Sequence, residues 1–186
     1  MVRIGGIDYS LTSPSVCVYN GDKDNFTFDR CKIFYLSSVK KFSEIVNNNL
    51  EGQATLKEYA CPEERYDYIS DWALDILISY DIQHVAVEDY SYGSTGKVFH
   101  IAENTGLLKW KLWQSEINYM VVPPTVIKKF ASGKGNANKE KMYESFLFET
   151  KRKLQDEFNI KSEKIGNPVS DIVDSYYICK YALDNL

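Results

Sequence analysis

The chain has little of what extracellular, membrane-bound or zinc-dependent proteins carry. Of 186 residues only two are histidine and four are cysteine. The cysteines (Cys17, Cys31, Cys61, Cys179) lie far apart with no C-x-x-C pair, so a thiolate zinc site or dithiol redox motif has no support. Unpaired thiols suit a reducing compartment. No apolar run approaches the roughly 20 residues of a membrane span, and the opening Met-Val-Arg-Ile-Gly-Gly-Ile-Asp meets an acid too soon for a signal peptide. The expectation is a soluble, cytoplasmic protein forming one domain over residues 1–186, large enough to bury a core without disulfides. No internal repeat or low-complexity linker interrupts it.

A basic excess is missing as well, since the net charge is −4. Its distribution is uneven. Residues 1–92 hold 8 Lys/Arg against 15 Asp/Glu, while residues 128–164 hold 10 against 6. A basic segment on an acidic body points to a local phosphate contact around Lys128–Lys141, although an ordinary solvated surface would also account for residues 151–164.

What the sequence does have is four carboxylates in telling places. Asp8 closes the apolar run Val2-Arg3-Ile4-Gly5-Gly6-Ile7, and Glu88 closes His84-Val85-Ala86-Val87. Asp171 and Asp174 stand three apart in Ser170-Asp171-Ile172-Val173-Asp174-Ser175. A charge set against a core costs free energy. A hard divalent cation, which prefers oxygen ligands, offsets that cost. Helical spacing puts Asp171 and Asp174 on one face. Taken singly, each acid also fits the plainer role of a strand-end or helix-N-terminal Asp or Glu.

Periodicity predicts strands at Val2–Tyr9, Val16–Asn20 and Phe26–Leu36, the last two flanking a turn at Asn20–Asn25. Ser37–Cys61 has no clear period. A helix is expected from Pro62 to about Tyr80, a fourth strand over His84–Glu88, a glycine-punctuated loop over Ser91–Gly96 and a helix over Lys97–Ser115. A fifth strand over Ile117–Val122 stops at Pro123-Pro124. A short helix Thr125–Ala131, a loop, a long helix Asn138–Phe158 and a last helix from Pro168 or Val169 complete the order. The result is an α/β fold with a mixed five-stranded sheet, three antiparallel strands then parallel ones, flanked by helices.

The order of acids and their neighbours resembles the RuvC-type Holliday junction resolvases, a branch of the ribonuclease H-like nucleases. The resemblance runs from Gly6-Ile7-Asp8-Tyr9-Ser10 through Ala86-Val87-Glu88 to Ser170–Ser175, over most of the chain. Its most specific part is Lys128-Lys129-Phe130-Ala131-Ser132-Gly133-Lys134-Gly135-Asn136-Ala137-Asn138-Lys139. The resemblance implies a metal-dependent endonuclease that nicks four-way junctions in symmetric pairs, with two Mg²⁺ ions (Mn²⁺ substituting) held by Asp8, Glu88, Asp171 and Asp174. It implies Lys128 and Lys139 near the scissile phosphate, Lys139 with a catalytic part, and Lys129 and Lys134 on DNA. Gly133-Lys134-Gly135 is not a P-loop, because the G-x-x-x-x-G-K-[ST] spacing is absent.

Bacterial members carry an aromatic three residues after the glutamate. This chain has Ser91 there, and Tyr90 or Tyr92 are the candidates to stack on unpaired bases. The resemblance also implies a homodimer through the Lys97–Ser115 helix, whose stripe Val98, Ile101, Ala102, Thr105, Leu108 and Leu112 would serve the interface or the sheet. Departure from the bacterial pattern suits a phage or viral member, acting in the host cytoplasm. Two other readings share parts of the pattern. A ribonuclease H acting on RNA–DNA hybrids would use the same acids, and an actin-like nucleotide-binding protein would open on a similar Gly-Ile-Asp-Tyr-Ser-Leu-Thr, although that fold usually spans two such domains.

Overall fold

Strand β1 (Val2–Asp8) is buried from Ile4 to Ile7, with neighbours on both edges and helices on both faces. The computed structural model describes residues 1–56, 58–90 and 98–185. Beside β1 lie β2 (Ser15–Gly21), antiparallel, and β5 (His84–Glu88), parallel. β3 (Lys32–Ser37) pairs antiparallel with β2, and β6 (Asn118–Val122) pairs parallel with β5. The mixed sheet with helices is as expected, but it has six strands rather than five. The additional strand, β4 (Leu50–Ala54), lies parallel to β3 at the sheet edge. Only Leu50 and Gly52 turn inward there, so the segment carries no apolar stripe that periodicity could detect.

Two other boundaries differ. Residues 26–31 do not extend β3 but form a 3₁₀ turn at Phe28–Arg30, which drives the Phe28 ring edge-on against Phe146 and Tyr176. The long helix expected over Asn138–Phe158 is two helices. Following the short α1 (Lys40–Ser43), α2 (Pro62–Ser79), α3 (Val98–Gln114) and α4 (Pro124–Ser132), helix α5 (Lys139–Thr150) ends and a second piece, α6, spans Leu154–Glu157. Lys151 takes a left-handed φ of 59° between them, and the turn lets Leu154 and Phe158 both enter the core.

One face of the sheet packs α2 and α3, with Ile69, Ala73, Leu77, Leu108 and Leu112 buried against Val16, Val85 and Val87. The other packs α5 and α7 (Val169–Asp184), with Phe146, Tyr176 and Cys179 against Ile4, Cys17 and Ile33. Helix α7 crosses β1 at very short range. A Cβ built on Gly6 would lie 2.1 Å from the Cys179 backbone nitrogen and 2.6 Å from the Ser175 carbonyl oxygen, so no side chain fits there. Ser175 also meets Ser15 of β2, hydroxyl to hydroxyl, at 2.9 Å. None of the described helices is long and apolar enough to cross a membrane.

Gly6→Ala should therefore force α7 away from the sheet and cost about 3 kcal/mol or more. The expected readout is a lower urea midpoint at an unchanged slope. A midpoint equal to that of the parent chain would show that the crossing is looser than these backbone distances imply.

Candidate active site

Parallel register brings the first two acids together. Ile7 of β1 stands beside Val87 of β5, so Asp8 and Glu88 end adjacent strands at the same edge. Helix α7 starts over that edge and supplies Asp171 and Asp174 from its first two turns. Asp171 is buried, while Asp8, Glu88 and Asp174 are half-buried, and Glu88 and Asp174 line a cavity.

All four carboxyls are held above the usual carboxylate range, and burial is the largest cause each time. Asp8 is raised well above its ordinary value by burial, then by the charges of Asp171, Glu88 and Asp174, against the pull of Lys139. Glu88 is pushed up to about 8 by burial and by Asp174, with Lys128 opposing. Asp171 rises to about 7 through burial, while Ser13, Lys139 and Ser170 favour the charged form. Asp174 rises to about 6, opposed by both lysines. Lys128 and Lys139 thus come to the same four acids from α4 and α5. Lys129, Lys134 and the two histidines do not. Lys129 and Lys134 are exposed beyond the cavity, His84 opens β5, and His100 meets the Tyr66 hydroxyl at 2.7 Å through Nδ1.

A polar network fixes Lys139. Its ammonium donates to Asn167 Oδ1 at 3.1 Å and to Ser170 Oγ at 3.0 Å. Ser170 Oγ lies 3.2 Å from Asp171 Oδ1 and 2.9 Å from Asn167 Oδ1, and its single proton can serve one of them at a time. Asn167 Nδ2 donates to Ser13 Oγ. The lysine is thus held by neutral oxygens and keeps its charge available beside the acids. Nothing in the sequence singles out Ser13, Asn167 or Ser170, because their roles depend on contacts 28 to 154 residues apart in the chain.

The donor set fits a hard divalent cation. Four carboxylates face one space, and Asp171 Oδ2 is a buried acceptor with no hydrogen-bond partner. Among the described residues no three acidic, histidine or cysteine side chains stand at the spacing that closes on one ion. The carboxylates therefore line the space as separate donors. Four like charges stay apart unless a cation's charge draws them in.

The cavity above the acids has a volume of about 560 Å³ and is walled by Tyr9, Ser10, Arg65, Asp89, Tyr90, Lys128 and Lys139 together with Glu88 and Asp174. Tyr90, one of the two stacking candidates, is thus at the site. The other, Tyr92, lies outside the described residues, as do the rest of the glycine loop and Lys97. Helix α3 gives its stripe to the sheet side: Thr105, Leu108 and Leu112 are buried within the chain, the two leucines against α2 and the sheet. Its outward face instead presents Phe99 (78% exposed), Trp110 (51%) and Trp113 (69%).

No protein-family model matches the chain. Over 103 residues it is 34% identical to the crossover junction endodeoxyribonuclease RuvC of Helicobacter pylori strains. That alignment covers 54% of this chain and 60% of the relatives' length. Among solved structures, Thermus thermophilus RuvC in complex with a Holliday junction substrate superposes with a TM-score of 0.63 at 16% identity, covering 100% of this chain and 97% of that one. The yeast mitochondrial Holliday junction resolvase gives 0.56 at 15% identity, over 98% and 78%. The fowlpox virus resolvase with its junction DNA gives 0.54 at 13%, over 99% and 98%. The chain shares the fold of these three resolvase structures, and over about half of its length it is similar in sequence to RuvC.

The raised carboxyls carry a pH signature. A folded pKa above the ordinary value means that the folded state binds the proton more tightly. The stability this contributes is complete below about pH 4 and is lost as pH rises through values of about 6, 7 and 8. In EDTA the melting temperature should fall between pH 5 and pH 8, and Asp8→Asn should flatten that fall. Mg²⁺ should restore more stability at pH 8 than at pH 5. A melting temperature that rises over this interval without metal would contradict the clustered-acid geometry.

Proposed function

We propose that the chain is a metal-dependent endonuclease that resolves four-way DNA junctions through paired symmetric nicks, acting in the cytoplasm. The observation that carries this is the meeting of Asp8, Glu88, Asp171 and Asp174 with one another and with Lys128 and Lys139, at a cavity that Glu88, Asp174 and both lysines line. The four acids would hold two Mg²⁺ ions, which when bound supply the charge that activates a water and stabilises the leaving oxygen. Lys139, steadied by Asn167 and Ser170, sets a positive charge where a phosphate must lie. Lys128 does the same from the side of Glu88 and Asp174. Tyr90 at the cavity wall offers an aromatic face to an unpaired base. The known resolvases of this fold, two of them solved with junction DNA, support the substrate class.

Asp174→Asn and Glu88→Gln should each reduce junction cleavage at least about 100-fold while junction binding persists, since oxyanion- and metal-site losses run to that order. Lys139→Ala and Lys128→Ala should lower turnover more than Lys153→Ala, an exposed residue preceding α6. The assay is cleavage of matched junction, fork, duplex and RNA–DNA hybrid with Mg²⁺. Wild-type cleavage of the hybrid in preference to the junction would replace this reading with a ribonuclease H activity.

A junction cut at two symmetric points needs two active sites related by a two-fold axis, which a homodimer provides. The outward face of α3 suits that interface: Phe99, Gly106, Trp110 and Trp113 repeat at helical spacing and leave large aromatic anchors in solvent. Trp110→Glu should yield a folded monomer by sedimentation and circular dichroism, and paired nicking should become single. Leu108→Glu, by contrast, should unfold the chain, because that side chain is fully buried. A wild-type protein that stays monomeric at micromolar concentration with junction DNA present would end the dimer proposal.

A further inference from the structure

Among the described residues, Arg65 is a cation without a counter-ion on the acidic half of the chain. It lies near the start of α2, next in sequence to Glu63 and Glu64, yet it forms no ion pair among the described residues. Arg3 and Arg152, in contrast, are both ion-paired. Glu64 instead accepts from the Ala60 backbone nitrogen. The Nε of Arg65 is buried and has no hydrogen-bond acceptor. Its guanidinium lies 5.5 Å from the ring centre of Tyr59, a stacking support that fixes the fork without using its donors.

Its position gives the unused donors a purpose. Arg65 walls the cavity that holds Glu88, Asp174, Lys128 and Lys139, and it also walls a second cavity of about 620 Å³. Leu11 and Thr12 are shared by both as well, so the two cavities form one groove that passes over Arg65. The far part is lined by Thr55, Tyr59, Tyr66 and His100, with Glu58 the acidic member. A polyanion following that groove across the acidic half would be repelled without a cation on the way. A guanidinium with its donors unspent matches a phosphodiester in charge and in fork geometry.

Building on the nuclease reading above, we infer that Arg65 is a backbone-phosphate clamp, holding the DNA strand that leads from the scissile phosphate into the second cavity. Its partner is a phosphate one to three linkages from the cut. It positions the strand and takes no part in the chemistry.

The test uses full-length protein carrying Asp174→Asn, with Mg²⁺ and a synthetic four-way junction, and junctions with one linkage near the cut replaced by an uncharged methylphosphonate. Arg65→Gln should weaken binding about tenfold, the order of a lost charge-assisted hydrogen bond. It should also reduce the slope of log affinity against log salt by about one. Arg65→Lys should keep the slope and lose part of the affinity. One methylphosphonate position should weaken the Arg65 protein by a similar factor and leave the Arg65→Gln protein unaffected. In the nuclease-competent background, Arg65→Gln should raise KM with kcat nearly unchanged. Additive effects at every linkage, an unchanged salt slope, or a fall in kcat alone would each overturn the clamp. Should Arg65→Gln fail to fold by circular dichroism, the methylphosphonate scan on the Arg65 protein decides. A scan with no sensitive linkage beyond the scissile one rejects the inference. Failure of the wild-type chain to bind or cut junctions would reject the nuclease reading itself, whereas a cutting enzyme indifferent to Arg65 rejects only the clamp.

Discussion

The site depends on how closely helix α7 lies on strand β1. At Gly6 the helix backbone occupies the space a side chain would need, with the Cys179 nitrogen 2.1 Å from where a Cβ would stand. That contact sets the height of the whole helix above the sheet. Its first turns then come down at the end of β1 and β5, where parallel register has already aligned Asp8 with Glu88. A helix held a side chain's thickness higher would still carry Asp171 and Asp174, but not beside Asp8. Packing at one glycine thus becomes electrostatics at four carboxylates further along the helix.

Those carboxylates are costly to keep. Each is surrounded by protein and raised in pKa chiefly by burial, and the chain accepts that in a core where almost every other buried side chain is apolar or hydrogen-bonded. The compensation visible in the structure is partial. Lys128 and Lys139 ease the repulsion among the acids, and Ser13 and Ser170 assist Asp171. One carboxylate oxygen of Asp171 remains without any partner. Buried polar groups left in this condition are rare outside functional sites. That residual deficit is the physical ground for the proposed metal binding.

Much of this is legible in the sequence itself, because an acid at the inner end of an apolar strand violates the burial pattern. Two such violations plus a helical D-x-x-D single out the same four residues that the fold gathers. The basic segment is legible as composition, but only Lys128 and Lys139 of its lysines reach the acids. The spacing between Lys128 and Lys129 says nothing about which one faces a cavity formed by other elements. Ser170 and Asn167 stay hidden because Ser and Asn around a helix start are common in any protein. Strand β4 escapes detection because an edge strand with glycine inward leaves no period. Periodicity leaves the α3 stripe open between interface and sheet because the helix is apolar on two sides. Leu108 and Leu112 face the sheet while Trp110 and Trp113 face out, and periodicity alone gives no way to tell which stripe meets the core.

The two-sided helix and Arg65 share a logic. An apolar surface left in water and a guanidinium left without a carboxylate are both unfavourable for an isolated chain, and each is stabilised by something the chain alone does not contain. Arg65 belongs to α2 and the tryptophans to α3, two helices packed against each other on one face of the sheet. The inner face of α3 reaches the cavity through Ile101 and the groove through His100, while its outer face presents the tryptophans. A second copy bound to the outer face would therefore hold rigid the very helix that lines the first copy's groove. In that arrangement, assembly of the dimer and alignment of the strand at Arg65 are mechanically linked through α3, and a substrate arm seated in one groove bears on the spacing of both proposed active sites.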